Sequence, residues 1–89
     1  MYAPTNLSIT EISISNQQQI LIFGSNIDTQ LKETVVKALL QNLPGVTDIS
    51  IDRDNWERIL RLECNPEVPS DLVVAKVRSI GFKCYELES

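Results

Sequence analysis

An α+β fold in two layers is what this 89-residue chain predicts, and three observations carry the prediction. Short runs rich in Ile, Val and aromatic residues alternate with two stretches of helical periodicity. Pro44-Gly45 follows the first periodic stretch and Gly81 the second. An apolar fraction of 43% against 22% charged residues is that of a folded domain and not of a disordered one. The length allows one domain. A chain this short buries only about 60–65% of the surface its unfolded form exposes, so its core is small.

The elements follow in order. Residues 7–15 are rich in Ile, Ser and Thr. Leu7 and Ile9 share one parity and Ile12 and Ile14 the other, which a strand with a bulge near Thr10-Glu11 explains. Asn16-Gln17-Gln18-Gln19 is polar and reads as a turn or loop. Residues 20–23, Ile-Leu-Ile-Phe, form a continuous apolar run ending at Gly24, as a central strand does. Asp28 is expected to cap the helix that follows, because a carboxylate there accepts an otherwise unpaired backbone N–H. Leu31, Val35, Ala38, Leu39 and Leu43 fall on one helical face, with Lys32, Glu33, Lys37 and Gln41 elsewhere. Residues 46–51 form the next strand, Ile49 and Ile51 opposing Asp48, Ser50 and Asp52. The turn 52–55 leads into a partner strand over 56–64, where Leu60, Leu62 and Cys64 share a parity, and the two make a hairpin. Ser70 is the expected cap of a second helix with Val73, Val77 and Ile80 as its stripe. Gly81 ends that helix in a left-handed conformation. Residues 82–87 form the last strand.

Strand, helix, strand, strand, helix, strand at these lengths is the split βαβ, ferredoxin-like arrangement: a two-layer βαββαβ sandwich with an antiparallel sheet in the order 4-1-3-2. Both crossovers are expected to be right-handed, with both helices on one face. Residues 1–18 form an N-terminal extension, an added strand or segment, and residues 19–89 the domain proper. The uncovered sheet face carries one parity of residues 20–23 with Ile59, Tyr85 and Leu87. The segment 7–15 is expected to dock across that face or along a sheet edge. With the first and third strands running parallel, Cys64 and Cys84 are expected at the end that carries the loop after Gly24.

Composition excludes several functions. The formal net charge is −4 and only Arg53, Arg58 and Arg61 lie close together, which argues against nucleic acid. No apolar run approaches the roughly 20 residues that span a bilayer. The N-terminus has neither a charged region nor an apolar core of a secretory signal, so a cytoplasmic location is expected. There is no histidine, which removes the commonest general base and metal ligand and excludes Ser-His-Asp and Cys-His catalysis. No enzymatic activity and no cofactor are expected. Two cysteines make no disulfide scaffold. Asp48, Asp52 and Asp54 lack the ligand count and glycine of a calcium loop and read as a solvated edge. Ser25 and Asn26 precede a helix N-terminus that would suit an anion, but Asp28 repels one. Trp56 either covers the edge of the core or anchors a partner.

Phe23-Gly24 at the end of the first strand, Val35, Ala38 and Leu39 in the helix, and the junction Leu43-Pro44-Gly45-Val46 form one series. Ile49, Ile51 and Asp52, then Asn65-Pro66, then Ile80-Gly81-Phe82 continue it. Over residues 20–87 this series resembles the heavy-metal-associated domain of copper chaperones and P-type metal ATPases. The resemblance implies the ferredoxin-like fold and a soft cation held by two thiolates in a Cys-x-x-Cys loop after the first strand. Counting back from Val35 and Ala38 puts the two thiol positions at Asp28 and Leu31; counting forward from Gly24 puts them at Ile27 and Gln30. Neither register holds a thiol, and Ser25 stands where the family usually has Met. No metal site is therefore carried over.

Cys64 and Cys84 would lie roughly 10 Å apart on strands separated by a third. A disulfide needs Cα atoms within about 7 Å, and a shared two-thiolate ion is disfavoured as well. They read as packed cysteines, with a redox or unorthodox metal role as the alternative. The expected function is a non-enzymatic interaction or regulatory module. It would dock on another protein through Ser25, Asn26, Ile27, Asp28, Gln30, Phe82 and Lys83. The alternatives are metal binding, transport or sensing through another site, and a dimeric ligand-binding regulatory domain using the open face or the N-terminal segment.

Overall fold

A computed structural model describes residues 18–87. Its elements are β1 (Gln19–Ser25), α1 (Gln30–Gln41), β2 (Val46–Asp52), β3 (Ile59–Cys64), α2 (Ser70–Ser79) and β4 (Cys84–Glu86). The sheet order is β2-β3-β1-β4 with every neighbouring pair antiparallel, which is the expected ferredoxin-like architecture. The expected strand over residues 7–15 lies outside the described residues. No described helix is long and apolar enough to cross a membrane.

Alternation along the strands builds the core. Phe23, Leu60, Leu62, Cys64 and Cys84 turn toward the helices and are almost wholly buried, with Ile49 beside them. The helices answer with Val36 and Leu40 from α1 and Val73 and Val77 from α2. Burying each large apolar side chain of this kind contributes about 1.5–3 kcal/mol, so this small cluster carries the fold. Gly81, at φ 92°, supplies the left-handed residue that ends α2, and Gly45, at the same φ, turns the chain into β2.

Four expectations are corrected. The buried stripe of α1 is Val36 and Leu40 with Leu43 packed against it, while Leu31 is 75% and Val35 41% exposed. Intervals of four and three residues make this stripe as good a helical face as the one beginning at Leu31, one residue out of phase. The cap of α1 is Thr29, whose side chain accepts from the Lys32 backbone N–H at 3.2 Å; Asp28 does not cap it. Pro69 precedes α2 without a side-chain cap, and the Ser70 hydroxyl instead donates to Glu86 at 2.9 Å.

The fourth correction concerns strand polarity. β1 and β3 run antiparallel, not parallel, with Gln19 opposite Cys64 and Phe23 opposite Leu60. β4 sets Cys84 opposite Ser25. The cysteines thus lie at opposite ends of β1, about 20 Å apart at ~3.3 Å per residue. The strands themselves are shorter than expected at two places. β3 starts at Ile59, because residues 53–58 form an irregular turn closed by Arg58 at φ 47°, and β4 has only three residues.

Candidate interaction site at the loop end

Because β1 and β2 end where β3 and β4 begin, one end of the sheet gathers the loop 26–29, the turn 53–58 and the connection 80–83. Ser25 fixes this end. Its backbone N–H donates to the Glu57 carbonyl at 2.8 Å and its hydroxyl donates to the Arg58 carbonyl at 2.6 Å. The same hydroxyl oxygen accepts from the Ile27 N–H at 3.1 Å. That turn drives Ile27 into the core, where it is completely buried, so Ile27 belongs to packing and not to a contact surface. The Asn26 side-chain carbonyl accepts from the Lys83 N–H at 2.9 Å and ties the loop to residues 82–83.

Lys32 organises the charge here. Its ammonium pairs with Asp28 at 3.0 Å, donates to the Asn26 carbonyl at 3.4 Å and sits 5.8 Å from the centre of the Phe82 ring. A cation within about 6 Å of an aromatic face is attracted by its quadrupole. Lys32 holds the Asp28 carboxyl below its ordinary range, chiefly through their hydrogen bond. The next residue, Glu33, joins Lys37 at 2.9 Å and Arg53 at 2.8 Å, which binds the turn 53–58 to α1. Hydrogen bonds from Lys37 and then Arg53 lower the Glu33 carboxyl. Within the turn, Asp52 accepts from the Asp54 N–H, Asn55 from the Glu57 N–H, and the Arg58 guanidinium donates to the Arg53 carbonyl. Trp56, 82% exposed, stands outside this network.

On the uncovered face at this end, the Tyr85 ring lies directly over Gly24, so closely that a Cβ on Gly24 would collide with it. The Tyr85 hydroxyl donates to Glu57 at 2.7 Å. That hydrogen bond, with burial and the neighbouring negative charge, pushes the phenol pKa up.

Of the residues expected to form a docking surface, Asp28, Gln30 and Lys83 are exposed, Ser25, Asn26 and Phe82 are half-buried, and Ile27 is buried. The structure brings all seven to one end. Sequence reasoning left out Leu31, Lys32 and the internal ties of the turn 53–58. The spacing of Asp28 and Lys32, four residues apart, is a signal for the ion pair.

The two thiols are free and buried. Burial pushes the Cys84 thiol from its ordinary 9.0 up to about 11, only partly offset by Arg78. Burial also raises Cys64, partly offset by the Gln19 amide 3.7 Å from its sulfur. Both are thiols rather than thiolates near neutrality, and the thiolate is the nucleophile and metal ligand. Among the described residues, no group of three or more His, Cys, Asp or Glu side chains is placed to hold a metal ion.

Neither a protein-family model nor a curated protein sequence matches the chain. Solved structures do. Oxidized MerP from Ralstonia metallidurans CH34 superposes with a TM-score of 0.70 at 9% identity, covering 81% of this chain and all of MerP. A structure solved in work on crosstalk between Cu(I) and Zn(II) homeostasis gives 0.69 at 13% identity, covering 78% of this chain and 99% of its own. The yeast copper transporter domain Ccc2a, studied in apo and Cu(I)-loaded states, gives 0.68 at 20% identity over 78% and 94%. At these identities the likeness is one of fold: the chain has the ferredoxin-like fold that MerP and the Ccc2a copper transporter domain share.

Proposed function

We propose that this chain is a non-enzymatic interaction or regulatory module, built on the scaffold of metal-handling domains, that docks on another protein through its loop end without a thiolate metal site. The observation that carries this reading is the Lys32 ammonium, held by Asp28, the Asn26 carbonyl and the Phe82 ring. A cation approaching the loop after β1 meets a carboxylate already paired with an ammonium, and no exposed thiol. Beside it, Leu31 projects apolar surface from the first turn of α1, as a docking residue does, and contributes nothing to the core.

A photo-crosslinking amino acid at Leu31, compared with one at Glu67 on the far end of the sheet, tests the reading in the protein's own cell. One dominant adduct at position 31, absent at 67 and abolished by Lys83→Glu without a change in melting temperature, is the expected result. Equal capture at both positions overturns it.

A second reading, metal binding or transport through an unorthodox site, draws on the structural neighbours, one of them a copper transporter domain. It requires stoichiometric copper(I) or zinc binding at micromolar affinity or better, lost in the Cys64→Ser, Cys84→Ser chain. Anaerobic titration separates the two readings.

A further inference from the structure

One sheet face holds both helices. The other carries Ile20, Ile22, Ile59, Tyr85 and Leu87. Ile20 is 48% and Tyr85 41% exposed, and the rest are half-buried. These residues come from β1, the start of β3 and the β4 region, where the Leu87 N–H donates to the Ile22 carbonyl at 2.8 Å. On the same face β2 presents Asp48, Ser50 and Asp52. Between β1 and β2, β3 presents the Arg61–Glu63 ion pair, opposite Ile22 and Ile20. The result is an apolar patch over β1 and β4, with Ile59 at its loop end, bounded by the charged side chains of β3 and β2. Antiparallel sheets with one solvated face alternate apolar and polar residues, and β1 breaks that rule on this face.

We infer that the patch is the docking site of the chain's own N-terminal segment, residues 7–15. Placement comes first. Gln18 has the parity of Ile20 and Ile22, opposite to Gln19, whose amide reaches Cys64 and the Val68 carbonyl on the helix side. The Gln18 side chain accepts from the Thr47 hydroxyl at 3.2 Å, so it reaches past β3 to β2. The chain is therefore anchored at the margin of the uncovered face when it enters β1.

Reach is sufficient. Nine extended residues cover about 30 Å at ~3.3 Å each, whereas the seven-residue β1 spans about 23 Å. A turn at Asn16-Gln17, two polar residues, would direct the segment back over the face. Chemistry agrees. Leu7, Ile9, Ile12 and Ile14 supply four apolar side chains, a bulge at Thr10-Glu11 would set all four on one side, and Glu11 is the one charge in the segment. A second copy on the patch would leave those four side chains in water. An attached segment is also favoured over a free partner by an effective concentration on the order of millimolar. This inference does not depend on what the loop end binds.

Hydrogen exchange and methyl NOE spectroscopy on the full chain test it. Amides 8–15 should exchange about tenfold or more slower than in an unfolded peptide of the same sequence, in a chain that light scattering finds monomeric. Methyl contacts should link Ile12 or Ile14 to Ile20, Ile22 or Ile59. Replacing Ile12→Ser and Ile14→Ser together should return amides 8–15 to peptide rates while those of β1 and β3 keep their protection. Peptide-rate exchange in the unaltered chain overturns the inference. So do contacts seen only between differently labelled copies, which would assign the patch to a dimer.

Discussion

Tyr85 and Cys84 are neighbours in sequence, point to opposite faces of the sheet, and titrate for different reasons. The Tyr85 phenol is raised because ionisation would set a phenolate against the Glu57 carboxylate it now bonds. In the Glu57→Gln chain the phenol of Tyr85 should fall toward its ordinary value. Gly24→Ala should do the same by pushing the ring off the strand and breaking the bond. Difference titration of tyrosinate absorbance against the parent chain, in which Tyr2 cancels, reads both. Cys84 is raised by burial, from 9.0 to about 11. A raised thiol pKa means that the folded state holds its proton longer than the unfolded state. The contribution is complete below pH 9.0 and is lost as pH rises through about 11. Chemical denaturation midpoints should therefore fall across that window, and should fall less steeply in the Cys84→Ala chain.

At the scale of the element, the start of α1 separates two carboxylate and hydroxyl roles that the sequence does not distinguish. Thr29 satisfies an orphan N–H of the first turn, and Asp28 serves the Lys32 ion pair. Thr29→Ala should cost about 1 kcal/mol. A loss of that size lowers the melting midpoint of a domain this small by about 4–8 °C. Asp28→Ala should leave the midpoint almost unchanged, since exposed ion pairs contribute little. Thermal melts of the two variants decide between the caps. The reason the sequence leaves this open is physical: Asp28 and Thr29 are both good cap residues, and the choice depends on how many residues the loop needs to bury Ile27. The apolar phase of α1 is ambiguous in the same way, since Leu31-Val35-Leu39 and Val36-Leu40-Leu43 are equally periodic and only the sheet selects one. The strands suffer no such degeneracy. Leu60, Leu62 and Cys64 alternate strictly with Arg61 and Glu63, and a slip of one residue would bury both charges. So the element order, the sheet order and the inward residues of β2 and β3 are legible, while the surface of α1 and the ties of the turn 53–58 are not.

Strand polarity decides what the two cysteines do together, and it is a property of the whole molecule. The crossover through α1 makes β2 parallel to β1, the hairpin makes β3 antiparallel to β2, and β3 therefore opposes β1. These connections are present in the sequence, so the antiparallel pairing follows from them without coordinates. It removes Cys64 from the loop end and leaves only Cys84 there, beneath the connection 80–83 and bonded through its carbonyl to the Arg78 guanidinium at 3.1 Å. Cys64 packs at the opposite end beside Gln19 and Val68. Each thiol fills its own part of the core, with several core side chains between them. Cys64→Ala and Cys84→Ala should each destabilise the chain by opening a small cavity. Because the sites are far apart and share no partner, the two losses should add to within about 0.5 kcal/mol in the double variant. A double-mutant cycle by urea denaturation under reducing conditions, with and without copper(I), measures this directly. A jointly held ion would show as coupling well above that limit, and coupling that emerged only with copper(I) present would make the two thiols a metal site despite their distance.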